Sequence, residues 1–225
     1  MNEKLRVNEL FQSIQGESTL AGLPFTFIRL AGCNLRCRWC DTPSAAEGKG
    51  KQVKIHEILN SVETFANKYV CITGGEPMIQ ENTHLLCEKL LRQGFEVCVE
   101  TNGSLDISEI STYSRRIMDV KCPSSGECAS NLFSNFSSLN SRDNLKFVIA
   151  DRADFDWAID LIAGHKLSGR CPLIFAPAIS REKAQEPNEE VDELLSKGKE
   201  ISNWILESGA EVRMQLQIHK LLRAR

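Results

Sequence analysis

Apolar and β-branched residues recur along the chain in short runs separated by longer amphipathic stretches, and the two periods predict different elements. The runs Phe25–Leu30, Tyr69–Thr73, Phe95–Glu100, Arg116–Val120, Leu145–Ala150, Leu173–Ala176 and Val212–Leu216 predict β-strands. Between them, Ile55, Ile58, Leu59, Val62, Phe65 and Ala66 follow the three-and-four spacing of one helix face; Leu86 and Leu90 mark a second helix, and Val191, Leu194, Leu195, Ile201 and Ile205 a third. Repeated alternation of strand and helix predicts an α/β fold with parallel strands and helices outside. The Ser-rich stretch Ser124–Ser141 reads as loop with at most one short helix, and the polar stretch Arg181–Glu190, with Pro187, as a linker or helix approach.

Composition narrows the class. A chain of 225 residues that is 42% hydrophobic and 25% charged can bury the core of one α/β domain. Its start lacks an apolar leader, and no segment approaches the ~18 consecutive apolar residues of a membrane span, so the expectation is a soluble, cytoplasmic protein with no membrane partner. A formal net charge of −3 leaves no electrostatic footprint for nucleic acid and favours a small-molecule substrate.

The chemistry gathers at the carboxyl ends of the predicted strands, where a barrel of parallel strands places its ligands. After the first comes Gly32-Cys-Asn-Leu-Arg-Cys-Arg-Trp-Cys-Asp41, a C-x3-C-x2-C cluster. After the next three come Thr73-Gly-Gly-Glu-Pro77, Glu100-Thr-Asn-Gly103 and Lys121-Cys-Pro-Ser-Ser-Gly126. Cys33, Cys37 and Cys40 offer three soft thiolates, suited to a [4Fe–4S] cluster that keeps one iron open for chemistry. A zinc knuckle or three buried thiols is the alternative, but the nearest histidine, His56, sits in a predicted helix and no second Cys pair completes a zinc site. Nine cysteines, an odd number, and the scatter of Cys122, Cys128 and Cys171 argue against a disulfide framework; Cys71, Cys87 and Cys98 read as small core residues.

Each remaining piece has a plain reading beside the functional one. Gly74-Gly75 lets backbone approach a ligand or makes a tight turn. Asn102 is a turn residue, with a left-handed conformation as its plain role. Trp39 is a core aromatic or a ligand contact. Thr42 is a helix cap, or, beside Asp41, an oxygen ligand for Mg2+. Arg29, inside an apolar strand, needs an anion: Glu17, Asp41, Glu100 or a substrate carboxylate.

Together these segments resemble the radical S-adenosylmethionine (SAM) superfamily. Within it, Phe11-Gln-Ser-Ile-Gln-Gly-Glu-Ser18, Gly22-Leu-Pro, the Phe27–Thr42 segment, Thr73-Gly-Gly-Glu-Pro77, Glu100-Thr-Asn-Gly103 and Asp119-Val-Lys-Cys-Pro-Ser124 are similar to 7-carboxy-7-deazaguanine synthases, with a weaker echo in Gln215-Leu-Gln-Ile-His-Lys220. The resemblance implies a truncated TIM-like βα barrel in one radical SAM domain, 1–225: an N-terminal substrate-binding segment 1–24, a βα core 25–216 and a tail 217–225. It implies ring contraction of 6-carboxy-5,6,7,8-tetrahydropterin to 7-carboxy-7-deazaguanine with loss of ammonia, on the route to queuosine and other 7-deazapurines. Cofactors would be a [4Fe–4S] cluster, SAM and Mg2+. Partners would be a flavodoxin or ferredoxin as electron donor and a second subunit in a homodimer.

By the same resemblance Cys33, Cys37 and Cys40 would ligate the cluster and Thr42 would hold Mg2+. Trp39, Cys40, Asp41, Gly75, Lys121, Cys122 and Pro123 would contact SAM. Ile14, Gln15, Gly16, Arg29 and Thr73 would bind the pterin, with Glu100 and His219 as further substrate contacts. One position departs from the pattern: Ser18 stands where these synthases usually have glycine after Gln-Gly-Glu. A short glycyl-radical activase or a noncatalytic iron–sulfur carrier would share the cysteine loop; the Ser13–Glu17 segment favours the synthase.

Overall fold

The computed structural model describes residues 3–180 and 187–224. Among the described residues, nine strands form a single open sheet. In chain order they are β1 (Lys4–Ile14), β2 (Pro24–Leu30), β3 (Lys51–Lys54), β4 (Tyr69–Gly74), β5 (Glu96–Thr101), β6 (Arg115–Val120), β7 (Asn144–Ile149), β8 (Leu173–Pro177) and β9 (Arg213–Met214). Their spatial order is β3-β1-β2-β4-β5-β6-β7-β8-β9. From β2 to β9 neighbours run parallel, while β1 joins β2 and β3 antiparallel. The sheet curls without closing, a partial TIM-like barrel.

The α-helices among the described residues are α1 (Pro43–Glu47), α2 (Ile55–Glu63), α3 (Thr83–Arg92), α4 (Arg152–Gly164), α5 (Pro187–Ser208) and α6 (Ile218–Leu221). One strand face, with Ile28, Leu30, Val70, Ile72, Val97, Val99, Leu145 and Phe147, packs against Ile58 and Val62 of α2, Leu86 and Leu90 of α3, Phe155 and Ala158 of α4 and Ile201 of α5 in one continuous core. The concave face carries a smaller plug of Phe11, Phe25, Phe27, Cys71, Cys98 and Ile117. Buried on the helix side, Arg116 donates to Asp143 through Nε at 3.1 Å and Nη2 at 2.6 Å. Asp143 also accepts from the backbone N–H of Arg116 and of Asn140, so both charges are hydrogen-bonded as well as paired.

The sheet is longer than the apolar runs predict. β1 went unread because a bulge between Val7 and Glu9 breaks its alternation. Leu5 and Val7 face the helices, whereas past the bulge Phe11 joins the concave plug. The extra residue re-aims the strand, as bulges beside functional sites do. The segment 1–24 therefore contributes its strand to the main sheet. α4 was also missed, since Trp157, Ile159 and Leu161 add apolar positions around the face of Phe155, Ala158 and Ile162; the Asp151 carboxylate caps it by accepting from Asp154 N at 2.9 Å.

The stretch 124–141 holds more structure than expected. Short 3-10 helices span Pro123–Ser125, Cys128–Ser130 and Phe133–Ser138. They are tied by side-chain bonds to backbone, among them Ser125 Oγ to Cys122 O at 2.6 Å and Asn131 Nδ2 to Lys121 O at 2.9 Å. Of the expected linker, residues 181–186 lie outside the described residues, and Pro187–Glu190 begin α5. Leu195 is on the solvent side of α5, not on its apolar face.

Candidate active site

The period of two along parallel strands turns a sequence pattern into a lining. On the concave side, Phe25 and Phe27 lead to Arg29 on β2, Cys71 to Thr73 on β4, Cys98 to Glu100 on β5 and Ile117 to Asp119 on β6, with Lys146 on β7. An apolar floor thus gives way, at the carboxyl ends, to a polar ring. Above that ring lies a cavity of about 430 Å3.

Its walls bring together nearly every residue singled out above. Ile14, Gln15, Gly16, Arg29, Cys33, Cys37, Trp39, Cys40, Asp41, Thr42, Thr73, Gly75, Glu100, Lys121 and His219 all line it. Cys122 and Pro123 do not: the Cys122 thiol is buried, and Pro123 is exposed on the outside. Contact between this segment and a bound cofactor would have to use Lys121.

The cysteine loop is held by its neighbours' backbone. Gly32 N donates to Ala45 O at 2.8 Å and Cys33 N to Ala46 O at 3.1 Å, docking the loop on α1. Glu76 N donates to Gly32 O at 2.8 Å and Gly75 N to Leu30 O at 3.1 Å, docking Gly74-Gly75 against its other side. A methyl on Gly75 would collide with Gly32 O, so the glycine is required by close approach rather than only by a turn. Thr42 precedes α1 without a side-chain capping bond, which sets the cap reading aside, and the residue lines the cavity.

The three thiols of the loop are half-buried, unlike the fully buried Cys71, Cys87, Cys98 and Cys122. Burial pushes the Cys37 thiol up, and nearby Lys121 opposes that rise. Among the described residues no three His, Cys, Asp or Glu side chains converge on one point as a single ion demands.

Arg29 has a partner that sequence reasoning did not name. Its Nε donates to Glu9 Oε1 at 2.7 Å, and the guanidinium lies over the Phe11 ring at 5.3 Å. Strand pairing explains it, because past the β1 bulge Glu9 stands opposite Arg29. Glu100 instead accepts from Thr73 Oγ1 at 2.7 Å and from Gln15 Nε2 at 3.3 Å.

Two further clusters escaped the sequence reading. In the first, β6–β7 pairing places Asp119 opposite Lys146, whose Nζ lies 3.1 Å from Asp119 Oδ1 and also contacts Glu17 Oε2. Burial would lower the Lys146 pKa, but Asp119 and Glu17 outweigh it and hold the ammonium well above the ordinary lysine range. Burial likewise lowers Lys121, and Asp119, 3.0 Å away, reverses that. In the second, the Glu76 carboxylate is fully buried and accepts from Asn102 N at 2.6 Å, Thr101 Oγ1 at 2.8 Å and Met78 N at 2.9 Å. Burial raises its pKa against those bonds. Gly103, with φ 71°, takes the left-handed position of that loop; Asn102 does not.

The C-terminal echo also acquires a physical meaning. Gln215 exchanges two bonds with Ser18, Ser18 N donating to Gln215 Oε1 at 2.7 Å and Gln215 Nε2 to Ser18 O at 2.8 Å. Gln217 donates to Glu17, and Ile218 N donates to Gly16 O at 3.1 Å. The tail is a strap over the Gln15–Ser18 loop. Ser18 has φ 69°, the left-handed region that favours glycine, so the serine holds a conformation strained for an L side chain; its Oγ accepts from Leu20 N at 3.1 Å. A Cβ on Gly16 would stand 2.7 Å from His219 Cγ and 2.9 Å from Cε1. Gly16→Ala is therefore expected to push the His219 ring aside and loosen the strap, at a cost of about 1–3 kcal/mol by overpacking. Urea denaturation measures the loss, and faster C-terminal proteolysis should accompany it.

The radical SAM superfamily profile matches residues 27–119. The chain is 36% identical over 221 residues to the 7-carboxy-7-deazaguanine synthase of Koribacter versatilis, covering 97% of this chain and 96% of that one. It is 39% identical over 221 residues to the synthase of Chlorobaculum tepidum, covering 97% and 94%. The crystal structure of QueE from Escherichia coli superposes with a TM-score of 0.69 at 22% identity, covering 95% of this chain and 94% of that one, a likeness of fold.

Proposed function

The chain belongs to the 7-carboxy-7-deazaguanine synthase family, and from that premise we propose how its cavity divides the work of the reaction. The enzyme is a radical SAM lyase that contracts 6-carboxy-5,6,7,8-tetrahydropterin to 7-carboxy-7-deazaguanine with loss of ammonia. A [4Fe–4S] cluster and SAM are its cofactors. When bound and reduced by one electron they supply a carbon radical that takes a hydrogen atom from the substrate.

The observation that carries the assignment is the meeting of three half-buried thiols with the Gln15–Gly16, Arg29 and Thr73 side of one cavity. Cys33, Cys37 and Cys40 hold the cluster. Trp39, Cys40, Asp41, Gly75 and Lys121 hold SAM, with the Cys122–Pro123 backbone as an outer support. Arg29, its Nε already fixed by Glu9, presents the rest of its guanidinium to the pterin carboxylate. Ile14, Gly16 and His219 flank the ring. Gln15 and Thr73, both tied to Glu100, offer it a fixed polar edge. The strap of 215–220 shields the site from water.

Thr42 binds Mg2+ through the hydroxyl that caps nothing, and the cation offsets substrate carboxylate charge. A flavodoxin or ferredoxin delivers the electron, and the enzyme works as a single-domain subunit of a cytoplasmic homodimer. Among the described residues no helix is long and apolar enough to cross a membrane.

Anaerobic reconstitution with dithionite, SAM, Mg2+ and the carboxytetrahydropterin tests the assignment. Product in excess of SAM consumed, read by mass spectrometry, is the expected result. Thr42→Ala should need at least about tenfold more Mg2+ for half-maximal turnover, the equivalent of one lost ligand contact of ~1.4 kcal/mol. An unchanged Mg2+ dependence would remove Thr42 from that role.

A further inference from the structure

We propose that Asn102 is a positioning residue that tunes the cluster, its side-chain amide donating a hydrogen bond to the sulfur of Cys33. The inference rests on the reading of Cys33 as a cluster ligand and deepens it. Asn102 Nδ2 lies 3.8 Å from Cys33 Sγ, and Leu35 N lies 3.4 Å from the same sulfur. The plain turn role does not explain this, since Gly103 holds the left-handed position and the Asn102 side chain is nearly buried, at 7% exposure.

What makes the contact more than a chance approach is how completely the amide is oriented. Its Oδ1 accepts from Ser104 N at 3.0 Å and Ser104 Oγ at 2.6 Å. Its Nδ2 also donates to Asn34 Oδ1 at 3.1 Å, while Asn34 Nδ2 donates to Ser104 Oγ at 2.8 Å. That closed ring joins the cysteine loop to the Glu100–Gly103 loop and admits one amide orientation, with the N–H side toward the thiol. Beneath it, the buried Glu76 carboxylate accepts from Asn102 N and Thr101 Oγ1, anchoring the loop to Gly74–Pro77. Three sequence segments thus cooperate to place one donor on one sulfur.

Reduction adds negative charge to a cluster and to its thiolates. A donor aimed at a ligand sulfur is worth more to the reduced state than to the oxidised one, so it raises the reduction potential. Asn102 would make the cluster easier to reduce by a weak biological donor.

The experiment is a potentiometric titration of the reconstituted cluster in SAM-free protein, comparing wild type with Asn102→Ala and the near-isosteric Asn102→Leu. At one poised potential both variants should show a roughly three- to tenfold lower ratio of reduced to oxidised cluster, at most about 59 mV for a one-electron couple. Pulsed electron paramagnetic resonance in D2O should lose a matching exchangeable-deuteron coupling. Full iron content with an unshifted potential in both variants overturns the inference. Loss of the cluster from both variants also overturns it, because Asn102 would then hold the loop rather than tune it. A wild-type protein that takes up no four-iron cluster would instead sink the ligation reading beneath it.

Discussion

Alanine at Cys33, Cys37 or Cys40 is expected to reduce product formation by at least ~1000-fold, the whole of the radical step being lost with the cofactor that carries it. Each variant should also lose the absorbance and paramagnetic signal of a four-iron cluster after anaerobic reconstitution. The three sites share a short loop and line the cavity, and among the described residues no other cysteine lines it. Cys71, Cys98 and Cys122 sit in the packed interior, where burial pushes the Cys98 thiol up to about 12 and raises the Cys71 and Cys122 thiols above the ordinary thiol range. A thiol that resists ionisation so strongly is a poor substitute ligand. Cys128, half-exposed but outside the cavity wall, is the control: Cys128→Ser should retain both cluster and turnover. A loop variant that kept full iron content and activity would overturn the assignment.

Gly75→Ala is expected to lower kcat about 100-fold while the protein still folds and still binds iron, the loss that a displacement near 1 Å inflicts on an aligned site. The new methyl would strike Gly32 O and stand 2.6 Å from Gly32 C and 2.9 Å from Cys33 Cβ. Two of those three atoms are backbone and cannot swing aside, so the loop bearing Cys33 has to move. The same substitution at Gly164, whose Cβ would meet nothing within 4 Å, is the matched control and should leave kcat unchanged. Single-turnover cleavage of SAM separates the two outcomes. Slowed cleavage places the damage at the cluster and cofactor, whereas normal cleavage with slow product formation would place it at the substrate and contradict the loop-displacement account.

The strand alternation, the cysteine spacing and the loops after β2, β4, β5 and β6 were legible because each is local. A period of two, a C-x3-C-x2-C run or a Gly-Gly pair carries its meaning within a few residues. β1 was not legible, since its bulge after Val7 shifts the phase that pattern reading relies on. The partner of Arg29 was missed for the same reason: Glu9 faces it only once the bulge has turned the strand.

By itself, the order of residues determined an α/β chain with its reactive groups at strand ends, three thiolates in one loop, and a resemblance specific enough to imply the reaction. Tertiary structure decided which groups meet across long separations. It set Asp119 opposite Lys146 by register, brought Glu17 to that pair across 129 positions, and laid the 215–220 strap over the Gln15–Ser18 loop. It also buried Glu76 where Thr101 and Asn102 could bind it. Such contacts depend on sheet order and closure, which are properties of the packed whole: each side chain's charge is encoded locally, but its partner is selected by the fold.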